Sequence, residues 1–229
     1  MIVSVIGFGH VGSVVGSVLA DRGCKVYGID KNIDLITSFK KGLSPINEPG
    51  LQKLITNGLE KKKLIITDSL ASISKSKMII ITVGTPLNKK YLPNLTYLKA
   101  ACNEIKKLIK PGHMICVKST VPPGTTRKII YKILGSKKNI DLAFTPERFS
   151  EGTAIKEFKS LSIVVGGVTD RATNNVANFW NKFLNTKIIK VVNCETAEYV
   201  KIATNAWIDL NIGFANALAR LAGKLNSKI

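Results

Sequence analysis

The chain has 229 residues, 45% of them hydrophobic, which is enough for one large core, or for one domain and a substantial piece of another. Lys and Arg outnumber Asp and Glu by 34 to 15, a formal net charge of +19, so a nucleic acid or an anionic membrane has to be weighed as a partner. The lysines are scattered, however, and their tightest runs, Lys61-Lys62-Lys63 and Lys137-Lys138, fall between expected elements without interleaved aromatics; the expectation is a solvated surface that speeds the approach of an anionic small molecule, with no nucleic acid and no membrane.

The N-terminal stretch organises the rest. Ile2 to Ile6 is a short apolar run of the kind buried on both faces of a sheet, and it ends in Gly7, Gly9 and Gly12, a G-x-G-x-x-G turn. Val11, Val14, Val15, Val18 and Leu19 then share one helical face until Gly23, and Lys25 to Ile29 makes a second strand ending at Asp30. Strand, glycine turn, helix, strand and acid form the dinucleotide fingerprint. Gly7 permits the tight turn, Gly9 the approach of the pyrophosphate, and Gly12 the close packing of helix on strand. The helix start, with His10 and Val11, offers free N–H groups and the positive end of a dipole to the phosphates. Asp30 stands where a carboxylate bonds the adenosine ribose and repels a 2′-phosphate, which favours NAD over NADP; Lys31 beside it works against that choice. A glycine-rich turn that binds nothing shows the same spacing, but seldom with strand, helix and acid in register.

A helix is expected over about Ile33 to Lys41, then the turn-rich GLSPINEPG at 42–50 and an amphipathic piece near Leu51 to Leu59. This excursion follows the second strand; it reads first as a long connection only, and its position puts it near the adenosine side of the cofactor. Strands follow at Leu64 to Thr67 and Met78 to Val83, the second breaking at Gly84-Thr85-Pro86, a small-residue turn suited to pass under the nicotinamide. Leu95 to Ile109 reads as a helix started by Asn94, and His113 to Lys118 as a fifth strand ending in the hydroxyl-rich Ser119-Thr120-Val121-Pro122-Pro123-Gly124-Thr125-Thr126. Asp141 to Phe144 is expected to close the sheet as its sixth strand. It runs into Thr145-Pro146-Glu147-Arg148-Phe149-Ser150-Glu151-Gly152, where two carboxylates beside an arginine suit an acid–base and binding cluster, or equally a surface ion pair.

Further strands at Leu161 to Gly166 and Lys187 to Val192 flank a helix at Arg171 to Phe183. Glu195 to Asn226 is one long helix with Ala203, Ala206, Trp207, Leu210, Phe214, Ala217, Leu218, Leu221 and Leu225 along a stripe. Lys201 and Asn205, one turn apart on another face, present a cation and an amide together, or are a snorkelling lysine beside a polar neighbour. Cys24, Cys102, Cys116 and Cys194 have neither C-x-x-C nor zinc-type spacing; no metal and a reducing, cytoplasmic setting are expected. The fold class is thus α/β, a Rossmann-type doubly wound, mainly parallel sheet followed by a long central helix. Residues 1–193 form the NAD-binding domain, and 194–229 begin a central helical one.

Five segments in order, GFGHVG at 7–12, VGTP at 83–86, STVPPGTT at 119–126, TPERFSEGTA at 145–154 and ETAEYVKIATNAWIDLNIGFAN at 195–216, together resemble the UDP-glucose/GDP-mannose dehydrogenase family over the whole chain. The resemblance implies oxidation of the C6 alcohol of a nucleotide sugar in two NAD-dependent hydride transfers through an aldehyde and an enzyme thioester. It implies cofactor contacts from Gly7, Gly9, His10, Val11, Gly12, Asp30, Lys31, Val83, Gly84, Thr85, Thr120 and Glu151. Thr120, Glu147, Glu151, Lys201 and Asn205 correspond to catalytic positions: Thr120 and a glutamate orient water, and Lys201 with Asn205 stabilises oxyanion character at C6. Arg148, Phe149, Ser150 and Glu151, with Lys201 and Asn205, would lie along the sugar.

The family's nucleophilic cysteine sits in a G-x-C-x-x-K-D segment that this chain lacks. The chain is therefore read as the N-terminal part of such an enzyme, a fragment or one piece of a split gene, able to bind NAD but not to complete the oxidation. Pro146-Glu147-Arg148 and Ile163-Val164-Val165-Gly166-Gly167 resemble the UDP-N-acetylhexosamine branch more than the UDP-glucose branch. In the family the long helix forms a dimer core, so a homodimer through 195–226 is implied. Two other readings stand beside this one. A 3-hydroxyacid or 6-phosphogluconate dehydrogenase also carries Lys and Asn one turn apart, and a non-catalytic NAD-binding or basic nucleic-acid-binding module would show salt-dependent binding.

Overall fold

The computed structural model describes residues 1–135 and 139–224; Lys137-Lys138 and the last residues expected in the long helix lie outside them. The N-terminal unit is β1 (Ile2–Ile6), α1 (His10–Asp21), β2 (Lys25–Ile29), α2 (Ile33–Lys40), α3 (Leu51–Glu60) and β3 (Leu64–Thr67). A 3₁₀ turn over Leu70–Lys75 leads to β4 (Met78–Ile81), α4 (Thr96–Ile105) and β5 (Met114–Val117). After a π-helical turn at Thr126–Ile130 come α5 (Tyr131–Leu134), β6 (Asp141–Phe144), α6 (Ala154–Ser160), β7 (Ile163–Gly167), α7 (Asp170–Phe183), β8 (Ile188–Lys190) and α8 (Cys194–Lys224).

The strands lie in the order β3-β2-β1-β4-β5-β6-β7-β8. From β3 to β6 every pairing is parallel, as the apolar runs and intervening helices require. The expectation that Asp141 to Phe144 closes the sheet is corrected: β7 continues it, antiparallel to β6 through Ala143↔Gly167 and Phe144↔Gly166, and β8 pairs parallel with β7. Pattern could not reveal this, because β7 is buried along its whole length and carries no alternation that marks an edge. Helix α6 falls in a stretch to which the sequence pattern assigns no element, because seven residues are too short to show a period.

Chain order reverses between β1 and β4, and registers Ile6↔Ile29, Ile6↔Ile81, Ile81↔Val117 and Val117↔Phe144 bring the strands' carboxyl ends level. Five loops therefore open along one edge. They start at Gly7, Asp30, Thr82, Lys118 and Thr145, each with its N–H bonded to a neighbouring strand or strand end. This is the switch-point crevice of an open α/β sheet. One core packs α1, α3, α6 and α7 on one face of the sheet, and a second packs α4, α5 and the start of α8 on the other. Helix α8 changes character along its length: Cys194, Ala197 and Glu198 are buried, whereas 205–221 are exposed throughout, Trp207 at 66% and Phe214 at 63%. Among the described residues no helix is long and apolar enough to cross a membrane.

Candidate active site

The glycine turn is fixed by its main chain. Gly7 has φ +88°, and a Cβ there would stand 2.8 Å from Val83 N; a Cβ on Gly12 would stand 2.0 Å from Gly7 O. Gly9 is different, since a Cβ there meets nothing within 4 Å. The space in front of Gly9 faces the start of α1, whose first N–H groups have no side-chain cap, and this is the cradle a pyrophosphate needs. Asp30 is locked to the turn: Oδ2 accepts the Phe8 N–H at 2.6 Å and Oδ1 the Asn32 N–H at 3.0 Å. Each oxygen retains a lone pair for a ribose hydroxyl.

Beyond Asp30 a cleft of about 530 Å³ runs between Ile6, Ile29, Leu70, Val83, Pro86, Tyr97 and Ala101. Its walls are apolar enough for an adenine ring. Lys31 lines it too, but its Nζ is 2.5 Å from Glu104 Oε1, and Asp68 stands in the same cleft. Asp30, Asp68 and Glu104 thus outnumber the one lysine and oppose a 2′-phosphate. Asp68, Tyr97 and Glu104 went unnoticed in the sequence because they reach the cleft from the segments after β3 and on α4, with no spacing that links them to Asp30.

On the other side of Val83 and Gly84 lies a second pocket of about 280 Å³. His10, Val11, Thr85, Thr120, Glu147, Phe149, Glu151 and Lys201 all line it, so most of the residues singled out from the sequence converge here. Thr85 Oγ1 donates to Thr120 O at 2.6 Å and Ser119 Oγ to Val83 O at 2.7 Å, lacing the loops after β4 and β5 together. The long excursion at 42–50 is not on the adenosine side as expected: Glu48 reaches His10 and Gly152 beside this second pocket. Its direction is set by tertiary packing of α3 and α6 against α1, which the turn residues do not encode.

Glu147 is held by Arg148 N at 2.8 Å and Phe149 N at 3.3 Å on Oε1. Its Oε2 lies 3.0 Å from Lys118 Nζ, a charge contact without hydrogen-bond alignment. Lys118 is 3% exposed, its ammonium 5.1 Å from the Trp180 ring and 5.5 Å from Phe158, a desolvated cation between two aromatic faces. This pair, central to the pocket, was missed for Lys118: a lysine closing a strand gives no hint that its partner comes 29 positions later. Burial pushes the Lys201 ammonium below the ordinary lysine range; Glu147 opposes this, while Lys118 and Arg148 push the same way as burial.

Three expected residues are placed elsewhere. Arg148 turns away from the pocket, Nη1 donating to Ser162 O at 3.4 Å. Ser150 is exposed, its N–H bonded to Glu157 Oε2 at 2.7 Å. Asn205 is exposed on α8, one turn beyond Lys201, outside the pocket lining. All four cysteines are free and buried. Burial pushes the thiol of Cys24 to about 11 and those of Cys102 and Cys194 to about 12, and raises that of Cys116 as well, so none is a ready thiolate. Among the described residues no group of three or more His, Cys, Asp or Glu could hold a metal ion.

Residues 1–184 match the family model described as UDP-glucose/GDP-mannose dehydrogenase family, NAD binding domain. The chain is 32% identical over 227 residues to a UDP-N-acetyl-D-mannosamine dehydrogenase of Pyrococcus horikoshii, covering 97% of itself and 54% of that protein. It is 34% identical over 232 residues to a GDP-mannose 6-dehydrogenase of Pseudomonas putida, covering 97% of itself and 53% of that protein. A solved ternary complex of GDP-mannose dehydrogenase from Pseudomonas aeruginosa superposes with a TM-score of 0.93 at 29% identity, over 100% of this chain and 54% of the other. The chain spans about half the length of the curated relatives it matches.

Proposed function

Because the chain belongs to the UDP-glucose/GDP-mannose dehydrogenase family and carries its NAD-binding domain, we propose that it supplies the cofactor and acid–base machinery for oxidising the C6 alcohol of a nucleotide sugar. The observation that carries this is the convergence of Thr120, Glu147, Glu151 and Lys201 in one pocket that shares Val83 and Gly84 with the dinucleotide cleft. NAD bound here would supply the hydride acceptor. The glycine turn would hold its pyrophosphate, Asp30 its ribose, and Val83 to Thr85 its nicotinamide half. Lys201, its charge poorly solvated, faces the oxygen on which negative charge grows and stabilises it where water cannot. Asn205, one turn further along the same helix, is the amide donor paired with Lys201 in this reading, although it lies outside the pocket lining. Thr120 and the anchored Glu147 orient water for the hydrolytic step, and Glu151 lies at the nicotinamide edge. Phe149, with Ser150 and Arg148 behind it, lines the sugar's path.

The relatives act on different nucleotide sugars, so the reaction at C6 is what they share; the segments at 146–148 and 163–167 support a UDP-N-acetylhexosamine as the first substrate to test and UDP-glucose as the second. The four inert, buried thiols support a division of labour, in which this chain binds NAD and contributes acid–base groups but supplies no nucleophile for a thioester. They also support a reducing, cytoplasmic setting. Calorimetric titration should give NADH binding with a clear preference over NADPH, and no uronate should form from either UDP-sugar. NADPH binding as tight as NADH would refute the role of Asp30, and uronate formation the division of labour. The exposed apolar side chains of α8, among them Trp207, Leu210, Phe214, Leu218 and Leu221, support a homodimer through this helix. A monomeric sedimentation profile at high concentration would count against it.

A further inference from the structure

The excursion at 42–50 carries one buried acid that the proposed chemistry does not use. Glu48 has a side chain only 1% exposed. One oxygen, Oε2, accepts the Gly152 N–H at 2.7 Å and lies 3.4 Å from His10 Nε2; the other, Oε1, is buried without a hydrogen-bond partner. Burying a carboxylate with one oxygen unpaired is unfavourable, and a residue serving only to fill the space would do so better as an amide or an apolar side chain. The backbone nevertheless delivers it firmly. Glu48 N donates to Ile46 O at 3.1 Å, Leu51 N to Glu48 O at 3.0 Å, and Gly50 turns the chain into α3 at φ +84°.

What Glu48 joins matters. His10 is the first residue of α1, at the phosphate cradle, and its ring packs edge-on to Phe149 at 6.0 Å. Gly152 ends the loop that carries Glu147 and Glu151, and at φ +88° its conformation suits glycine alone. We propose that Glu48 is a positioning residue that ties the cofactor cradle to the glutamate loop, so that a dinucleotide held at the start of α1 orders residues 147–152 through His10 and Glu48. The physical basis is the two-ended imidazole: one ring nitrogen meets Glu48, and the other can meet a phosphate at the start of α1, so a bound phosphate would fix the ring and with it the contact to Glu48. The carboxylate is in turn fixed on Gly152. Cofactor binding and an ordered glutamate loop then favour one another, a coupling that must run in both directions.

This link rests on the NAD reading above, and the test separates the two. Amide exchange over 145–154 is followed in the whole chain with and without NADH, alongside calorimetry. In the unmodified chain NADH should slow exchange there. Glu48→Ala should exchange faster even without cofactor, show no slowing with NADH, and bind it roughly tenfold more weakly. Glu48→Gln, whose amide oxygen still accepts the Gly152 N–H, should keep the cofactor-free protection and lose part of the NADH response. His10→Ala leaves the carboxylate in place, so it keeps the cofactor-free protection and loses the response; it decides the matter should Glu48→Ala fail to fold. A His10→Ala chain with the full NADH response would overturn the link. So would NADH binding without any change at 145–154. Absence of NADH binding by the unmodified chain would bring down the NAD reading and the link together.

Discussion

The two clefts share Val83 and Gly84 but are made of different material. The adenosine cleft is main chain and apolar wall: glycine conformations, a helix start, and one carboxylate bonded to two backbone N–H groups. The chemistry pocket is made of side chains, several of them charged, drawn from the start of α1, the loops after β4, β5 and β6, and α8. The glycine turn and Asp30, which anchor the first, are neighbours within thirty residues of sequence, and its outer walls, Asp68, Tyr97 and Glu104 among them, come from further along the chain. The second exists only when the whole sheet has put five strand ends level. A backbone site should therefore fail by steric intrusion, and a side-chain site by unbalanced charge.

The sharpest break is a glycine substitution that tests the first half of this contrast. A side chain at Gly12 would meet Gly7 O at 2.0 Å and Thr82 Oγ1 at 2.8 Å, and Gly7 cannot yield because it is itself pressed on Val83. Gly12→Val should cost on the order of 4 kcal/mol, lowering the melting temperature by roughly 10 °C and abolishing NADH binding. Gly9→Ala is the counterpart. Its Cβ has open space and its φ of −72° suits any residue, so the melt should stay unchanged while NADH binding weakens by about tenfold or more. Equal melts for the two variants would show that the turn's geometry does not hold the site.

Next in size is the charge pair of the chemistry pocket. Lys118→Met keeps the aromatic packing on Trp180 and Phe158 but leaves Glu147 buried without its cation, at a cost of about 3 kcal/mol by thermal or urea melt. Adding Glu147→Gln to that variant should recover much of the loss, because the unpaired charge and not the missing ammonium is what destabilises. A double variant no more stable than the single one would mean that the pair is not the source.

The same division decides what could be read from the sequence. Strand, glycine turn, helix and Asp30 were legible because each is specified by its neighbours, and the loops at Val83, Thr120 and Glu147 because strand ends mark where ligands sit in an open sheet. Lys118, Glu48 and Glu198 were not, since what makes each of them matter is a partner 29, 38 and 72 residues away. Asn205 shows the converse: its spacing from Lys201 is right for a helix face, yet spacing does not say where along α8 the pocket ends.

A smaller effect bears on Asp30, the carboxylate bonded to the main chain of the glycine turn. Asp30→Ala removes the acceptor of the Phe8 N–H, at about 1 kcal/mol of stability. It should also narrow the preference for NADH over NADPH by roughly tenfold, equivalent to about 1.4 kcal/mol. Glu104→Gln frees Lys31 from its partner and should shift preference in the same direction by less, since an exposed pair contributes little. If Asp30→Ala leaves the preference intact, discrimination comes from the cleft walls.

The smallest expected effect concerns how α8 is attached. Glu198, wholly buried, accepts the N–H groups of Gly124 at 2.5 Å and Thr126 at 2.7 Å, holding the hydroxyl-rich segment that carries Thr120 against the helix that carries Lys201. Burial raises its carboxyl above the ordinary range, and the bonds from Thr126 and Gly124 only partly offset this. In the folded chain the group thus keeps its proton to a higher pH than in the unfolded one. Between the ordinary carboxylate value and the raised one the folded state binds more protons, so this group's contribution is present at low pH and is lost as pH rises through the folded value. Glu198→Gln retains one acceptor and cannot titrate. Urea midpoints measured from pH 4 to pH 7 should fall less steeply for the variant than for the parent across that window, on top of a constant loss from the forfeited hydrogen bond. Parallel curves would mean that Glu198 titrates like a solvated acid, and the joint between the hydroxyl segment and α8 would then be held by packing and by Arg127 on Glu195 at 2.6 Å.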